Sequence, residues 1–463
     1  MYNQSTGLEV LVEQTTDVAI VGGGIVGSAA AYVLARYTTV RRITLLERAT
    51  VIATESSACG SNSQTLHVGD IETNYEPDMA RRVRDDAELI AAYLDRHPRD
   101  ASAYRRDHKM VLAVGVREVA QLTARFAAIR DLYPALRLVD GPAIAVLESN
   151  VMAGRNPRVP VAALVSHEGY TVNFAKLAAS WIRAARASSA QVSVLCGMPV
   201  SAMRRADDGF VLAVPGGTIR ARAVVVCAGA YSLLFARRLG YGQELEFLPV
   251  VGGFYRTTIP NVLTGKVYTV QVPERPFAAV HGDADVRNAQ WTRFGPTAKP
   301  VPMLARARAR TIPDFLRTIV WSARGILSYL VIMCRPQLFP FLLKMLIIES
   351  VPFIGKRVFL RDARKIVPKL RVSDIERVHN EGGIRPQLVD TRTMALQHGE
   401  GRIEGDRVIF NVTPSPGASV SLAVAARDAE QVCAWLGATF DRTRFIADHT
   451  RVPMDVSVPR TAA

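Results

Sequence analysis

Asp17-Val-Ala-Ile-Val-Gly22-Gly-Gly-Ile-Val-Gly27, followed by the apolar run Arg42-Ile-Thr-Leu-Leu-Glu47, decides the fold. Residues 17–21 have the length and β-branched content of a buried strand. The alanine-rich stretch from there to Tyr37 has the character of a packed helix. A bare GxGxxG is an ordinary turn in many chains, but between a strand and a helix it becomes a dinucleotide signature. Gly22 permits the tight turn, Gly24 lets the backbone approach a pyrophosphate, and Gly27 lets helix and strand pack closely. The helix N-terminus then offers N–H groups and a favourable dipole to phosphate. Glu47 closes the second strand, 25 positions after Gly22, where an acid accepts from ribose hydroxyls.

Downstream, 80–96, 117–132 and 174–187 carry apolar residues at helical spacing. Residues 192–195, 210–214 and 223–226 read as short strands, separated by turn signals at Asp207-Asp-Gly209 and Pro215-Gly-Gly217. From 247 to 302 the pattern is strand-like and rich in Gly and Pro. The stretch 306–370 is helical, apolar and basic, interrupted at Pro336, Pro340 and Pro352. A last strand is expected at 408–412 and a last helix at 419–436.

This order predicts an α/β chain. A discontinuous Rossmann-type nucleotide domain (15–80, 150–240, 380–440) is interleaved with an α+β substrate domain (81–149, 241–379) on a mostly antiparallel sheet. Two later features select FAD over NAD. Ala223-Val-Val-Val-Cys-Ala-Gly229 is a buried strand ending in a small-residue turn, suited to a chain returning to the nucleotide. Ser415-Pro-Gly-Ala-Ser419 precedes the final helix, whose N–H groups would face the flavin; the bland alternative is a plain capping turn.

The chain has 463 residues, 49% hydrophobic and 21% charged, a globular composition with room for a large core. Its five cysteines, Cys59, Cys196, Cys227, Cys334 and Cys433, show no CxxC spacing, so neither a disulfide framework nor a metal site is expected. The formal net charge of +15 favours anionic partners, yet no nucleic-acid motif accompanies it. The first residues lack a basic-then-apolar leader pattern, and no apolar run reaches the ~18 residues of a spanning helix. The expected location is therefore cytoplasmic, or peripheral at the inner face of a membrane. The 306–370 stretch is the membrane candidate, since its apolar runs are flanked by Arg and Lys; a lid on the substrate domain is the equal alternative.

Glu55-Ser56-Ser57 through Asn62, Thr65, His67, Glu72, Asn74 and Tyr75 resembles the malate:quinone oxidoreductases, whose pattern has the same spacing. Val172-Asn173-Phe174, Pro249-Val-Val-Gly252 through Arg256, Gly383-Ile-Arg385-Pro-Gln387 and Ser415–Ser419 resemble further segments of that family. Pro276-Phe-Ala-Ala-Val-His281, with Gly295-Pro296, is similar to the 2-hydroxyglutarate dehydrogenase branch of the D-amino-acid-oxidase-like superfamily. The sequence departs from the malate pattern at Ser63-Gln64-Thr65-Leu66 and at Gly69-Asp70, which leaves the particular acid open.

The resemblance implies non-covalent FAD held by Gly22, Gly24, Gly27, Glu47 and Arg48, by Ser56, Ser57, Asn62, Gln64 and Thr65, by Val200 and Gly229, and by Gly417, Ala418 and Ser419; for Asn62, Gln64 and Thr65, packing of the loop is the equal alternative. It implies oxidation of a small, anionic malate- or 2-hydroxyglutarate-like acid, with electrons passing to a quinone or another acceptor. Such chemistry needs a base for the hydroxyl proton and a cation for the carboxylate. His67 and His281 are the candidate bases, because a near-neutral imidazole accepts that proton. Arg256 and Arg385 are the candidate carboxylate clamps, because a guanidinium pairs with a carboxylate bidentately. Two other classes stay open: a flavin oxidase or dehydrogenase of amines or amino acids, and a flavin-bound partner protein without turnover.

Overall fold

The structure is a computed structural model that describes residues 13–97, 103–271, 279–306, 308–319, 323–336, 338–379, 381–397, 401–412 and 416–451. Five parallel strands form the centre of the nucleotide-binding sheet, in the order Val408–Val412, Gly217–Val226, Gln14–Val21, Arg42–Glu47, Gln191–Cys196. Gly401–Gly405 adds an antiparallel edge, and the hairpin Ala202–Ala206/Gly209–Val214 joins the side of Gly217–Val226. A parallel sheet is covered on both faces, which is why its strands are continuously apolar. Helices Ile25–Tyr37, Phe174–Arg186 and Ser421–Leu436 cover one face, burying Ala29, Val33, Trp181, Leu422 and Ala425 with Val18, Ile20 and Val225. The other face carries the hairpin's Phe210 and Leu212 against Val21, Val224 and Phe410.

The second body is an eight-stranded sheet. Its order is Ile375–Arg377, Tyr255–Thr257, Thr292–Gly295, His281–Ala284, Lys266–Thr269, Tyr104–Val114, Val161–Val172, Arg137–Asp140. All pairings are antiparallel except Lys266–Thr269 with Tyr104–Val114. Strand alternation divides it into two unlike faces. Met110, Leu112, Val267 and Phe294 pack under helices Phe339–Ser350 and Pro352–Ile366. Their sequence neighbours Lys109, Lys266 and Arg293 are also fully buried, but on the opposite side. A smaller antiparallel sheet, Lys299–Pro300, Leu245–Val251, Ile384–Asp390, Ala395–Gln397, brings in the last substrate-side strand.

Two strand pairings and one helix differ from the expected partition. Val161–Val172 lies within the 150–240 span yet pairs with Tyr104–Val114. Ile384–Asp390 lies within 380–440 yet pairs with Leu245–Val251. Helix Pro77–Arg96 crosses the 81 boundary and buries Ala87, Ile90 and Ala91 in the nucleotide domain's core. In 306–370 the prolines begin helices as well as ending them: Pro340 and Pro352 sit in the first turns of their helices, where the missing N–H costs nothing. No helix among the described residues is long and apolar enough to cross a membrane.

Candidate active site

The glycine loop has the geometry of a dinucleotide cradle. Gly22 has φ +108°, and a Cβ there would stand 2.4 Å from the Cys227 carbonyl oxygen. A Cβ on Gly27 would stand 1.9 Å from the Gly22 carbonyl oxygen, so helix and strand are as close as glycine allows. At Gly24 a Cβ would meet only Ser57 Oγ, at 3.3 Å, which leaves the space a pyrophosphate needs. The helix's first turn carries no acid, and the Ile25 N–H donates to Ser57 Oγ at 2.9 Å. Glu47 ends its strand beside the loop and accepts from the Gly23 N–H at 2.7 Å and the Ala49 N–H at 2.8 Å. A carboxylate has about four acceptor sites, so two remain for ribose hydroxyls. These residues fit FAD.

Val200 packs against the cluster of Val21, Leu46 and Val226 behind this loop. Gly229, at φ +57°, turns the returning strand into a short helical segment. Arg48 lies over the Tyr231 ring at 4.7 Å and 3.5 Å from Glu55. Thr413 to Ser415 lie outside the described residues, as does part of the 276–281 segment. Gly417, Ala418 and Ser419 form the turn into the last helix, where Ser419 Oγ accepts from the His67 N–H at 2.9 Å. The closing turn and the flavin loop therefore meet.

That flavin loop is organised by its own side chains. Ser56 Oγ donates to the Ile384 carbonyl at 3.3 Å. Asn62 Nδ2 donates to the carbonyls of Ser56 and Ala58, and its Oδ1 accepts from the Gln64 N–H. Gln64, in the left-handed region at φ +57°, donates to the Cys59 carbonyl and accepts from the Val286 N–H. The side-chain amides of Asn62 and Gln64 thus shape the loop. Thr65 Oγ1 bonds the Tyr268 hydroxyl at 2.6 Å.

Three rings line up at the junction of the two bodies. Tyr268 stacks on His281 with centroids 4.5 Å apart and meets His67 edge-on at 6.1 Å. The register explains this: Tyr268 pairs with His281 across neighbouring strands, and Lys266 pairs with Asp283 one step behind. His281 Nδ1 lies 2.6 Å from Asp283 Oδ2, and Lys266 Nζ lies 3.4 Å from Asp283 Oδ1. Arg293 continues the charged row, 3.1 Å from Asp285 and 3.5 Å from Glu381. His67 is held differently, with Nδ1 2.5 Å from Glu72 and Nε2 3.3 Å from Ser63 Oγ.

Arg385 lies on Ile384–Asp390, half-buried, with its Cζ 3.9 Å from where a Gly252 Cβ would stand and the Pro296 ring on the same spot at 3.3 Å. Among the described residues its guanidinium has no ion-pair partner, unlike Arg293, Arg287 or Arg377. Burial pushes its pKa down, with the Tyr268 hydroxyl acting the other way. Arg256 is not brought to this place, which corrects its expected role. Its neighbours Tyr255 and Thr257 are buried, so alternation turns Arg256 outward. There it pairs with Glu376 at 2.7 Å and stacks on Trp291 at 4.6 Å.

Sequence reasoning passed over Tyr268 and Lys266, and gave Asp283 only background weight. The signal was the period-two pattern Lys266-Val-Tyr268 and His281-Gly-Asp283, which puts each pair on one face of its strand. Burial, the largest influence, lowers the His281 pKa, with Lys266 and Arg385 adding to it and Asp283 opposing. Asp283 itself is held well below the usual carboxylate range: burial alone would raise it, but His281 and Lys266 prevail. An imidazole lowered from its usual ~6.5 is neutral at pH 7 and able to take a proton. We therefore expect kcat/KM to be level above pH ~6.5 and to fall on the acid side, toward ~tenfold per unit below the His281 pKa. Asp283→Asn removes the opposing charge and is expected to move that limb to still lower pH. A limb centred above pH 7 would exclude His281 as the base.

The pattern of the FAD dependent oxidoreductase family (DAO) matches residues 17–430. A probable malate:quinone oxidoreductase of Campylobacter jejuni is 36% identical over 446 residues, 94% of this chain and 99% of that protein. The malate:quinone oxidoreductase of Helicobacter pylori is 35% identical over 93% of this chain and 97% of its own length. Human mitochondrial L-2-hydroxyglutarate dehydrogenase is 26% identical over 90% of this chain and 88% of that protein. In fold, the chain is similar to glycine oxidase of Geobacillus kaustophilus, with TM-score 0.62 and 18% identity over 90% of this chain and 95% of that one. L-alpha-glycerophosphate oxidase of Mycoplasma pneumoniae with FAD bound is equally similar, with TM-score 0.62 and 18% identity over 91% and 95% of the two chains.

Proposed function

We propose, from the premise that the chain belongs to the FAD-dependent oxidoreductase family and within it to the malate:quinone oxidoreductases, that it oxidises a small 2-hydroxy acid and passes the electrons to a quinone. The chain is an FAD-dependent oxidoreductase, and FAD is its cofactor. FAD supplies the two-electron acceptor when bound; the remaining work falls to the chain. The observation that carries the substrate reading is Arg385, a cation without an anionic partner among the described residues, beside His281 and Tyr268. A substrate carboxylate completes that pairing, and the bidentate geometry fixes the C2 carbon in place.

His281 is the base in this reading. Asp283 Oδ2 lies 2.6 Å from its Nδ1, a charge that favours the protonated ring. His281 takes the hydroxyl proton while the C2 hydrogen leaves with its electron pair, giving a 2-oxo acid. Both nitrogens of His67 are engaged by Glu72 and Ser63. The His67 ring therefore contributes to the wall of the site, and its backbone N–H ties the loop to Ser419. The named relatives that act on malate and L-2-hydroxyglutarate favour a hydroxy acid over an amine.

The test is anaerobic bleaching of the bound flavin with malate, 2-hydroxyglutarate, lactate and matched amino acids. Full bleaching by a hydroxydicarboxylate within the mixing time, followed by reoxidation with a short-chain quinone, is the expected result. Bleaching by amino acids alone would overturn the substrate class.

A further inference from the structure

The proposed reaction leaves Lys266 without a task. It stands on Lys266–Thr269 directly across from Asp283, as Tyr268 stands across from His281, so the four side chains form two neighbouring cross-strand pairs on one face of the sheet. Its Nζ lies 3.4 Å from Asp283 Oδ1 and donates to the Ser63 carbonyl at 3.1 Å. Lys266, Asp283 and His281 are 1%, 0% and 3% exposed, so salt and water screen their charges little.

A carboxylate 2.6 Å from an imidazole stabilises the protonated ring, and a ring that already holds its proton takes no second one. His281 beside an uncompensated Asp283 would be such a ring. The other cations of this face are committed elsewhere. Arg293 and Arg287 both serve Asp285 and Glu381. Lys109, on the next strand, pairs with Asp70 at 2.7 Å. Among the described residues, Lys266 is the one lysine or arginine within ion-pair distance of Asp283. We infer that Lys266 is a positioning residue that keeps His281 unprotonated and ready: its ammonium cancels the Asp283 carboxylate, which then orients the imidazole without charging it.

The remaining groups around the pair fit that balance. Tyr268 stacks on His281, and His67, its Nδ1 held by Glu72, meets Tyr268 edge-on. The Phe254 ring, 6.3 Å from that of His281, carries Arg293 over its face. Asp107 adds a negative charge near Lys266, but its oxygens are taken by Arg105 and Thr171. Arg385 and Lys266 lower the proton affinity of His281 while Asp283 raises it. Ser63 belongs to the flavin loop, and its hydroxyl bonds His67 Nε2 at 3.3 Å. The ammonium is thus held from the cofactor side and acts on the substrate side. The charge balance is independent of the reaction; its effect on turnover rests on the reading of His281 as the base.

The test compares FAD-loaded wild type with Lys266→Gln, Lys266→Met and the double variant Lys266→Met/Asp283→Asn. Glutamine keeps a donor for the Ser63 carbonyl but no charge, and carries the measurement if the methionine variant fails to fold. The double variant removes both charges and leaves neither orphaned. The titration of His281 is read by NMR of protein carrying 15N-histidine, its signal identified by its loss in His281→Gln. The acid limb of kcat/KM is read alongside with a dye acceptor. Both are expected to move to higher pH in the two single variants alike, by at least ~10-fold in proton affinity, and to return to within ~3-fold of wild type in the double variant. A His281 that titrates in Lys266→Gln as in the wild type overturns the inference, because a tether survives that substitution and a charge does not. So does a double variant that titrates like Lys266→Met. A titration that moves as expected while the acid limb stays in place would uphold the charge balance and count instead against His281 as the base.

Discussion

Replacing Arg385 with alanine is expected to lower kcat/KM for the acid substrate by ~10²–10³, the cost of ~3–4 kcal/mol when one partner of a desolvated charge pair is removed. The loss falls mainly in KM, because the carboxylate is held in ground and transition states alike. Flavin content is expected to be unchanged, as Arg385 stands on the substrate-side strand Ile384–Asp390. Arg385→Lys keeps the charge but loses the fork, and an intermediate loss is expected. Arg256→Ala is the matched control. It removes an exposed pair with Glu376, and such pairs contribute about 0–1 kcal/mol, so kcat/KM is expected to stay within ~2-fold. Steady-state kinetics with a dye acceptor reads all three. An Arg256→Ala defect as large as that of Arg385→Ala would place the clamp elsewhere.

Replacing Gly27 with alanine is expected to yield protein that purifies without bound flavin. The added Cβ would stand 1.9 Å from the Gly22 carbonyl oxygen, and backbone of that kind yields only by moving the helix away from the turn. Overpacking of this sort costs ~1–3 kcal/mol in the fold. The helix N–H groups move with it, and we expect FAD affinity to fall by at least ~100-fold. Gly24→Ala separates binding from folding. Its Cβ meets only Ser57 Oγ, so the chain is expected to fold normally and still bind FAD ~10-fold or more weakly. Flavin absorbance per protein, with far-ultraviolet circular dichroism alongside, decides the matter. A yellow Gly27→Ala protein of wild-type affinity would overturn the phosphate-cradle assignment.

The nucleotide half was legible because its signals are local. The glycine loop, the strand before it and Glu47 lie within 31 residues, and a buried parallel strand announces itself as an unbroken apolar run. The helices at Pro77–Arg96, Val116–Ile129 and Phe174–Arg186 were visible for a similar reason, their period. Tyr104–Val114 was not. It begins Tyr-Arg-Arg-Asp-His-Lys, which reads as a solvated loop, yet Lys109 is wholly buried because Asp70, 39 residues away, is 2.7 Å from it. A buried charge is tolerated only with its partner, and a linear sequence does not display partners. Arg256 and Arg385 show the same limit from the other side. Both looked alike as cations, and the difference between them is a strand register that leaves one facing Trp291 and the other facing His281.

The strand Val408–Val412 docks against Gly217–Val226, so the sheet that cradles the nucleotide is finished by a strand made long after the one it joins. Ribosomes add roughly 5–20 residues each second. The greasy helices from Ala323 to Ser350 thus leave the exit tunnel several seconds before the cofactor domain closes. During that interval the nascent chain already displays its sticky surface while lacking the yellow ligand that would lock its other half. Cells making this protein in excess of free FAD are accordingly expected to collect it as inclusion bodies, and riboflavin supply during expression to raise the soluble yield.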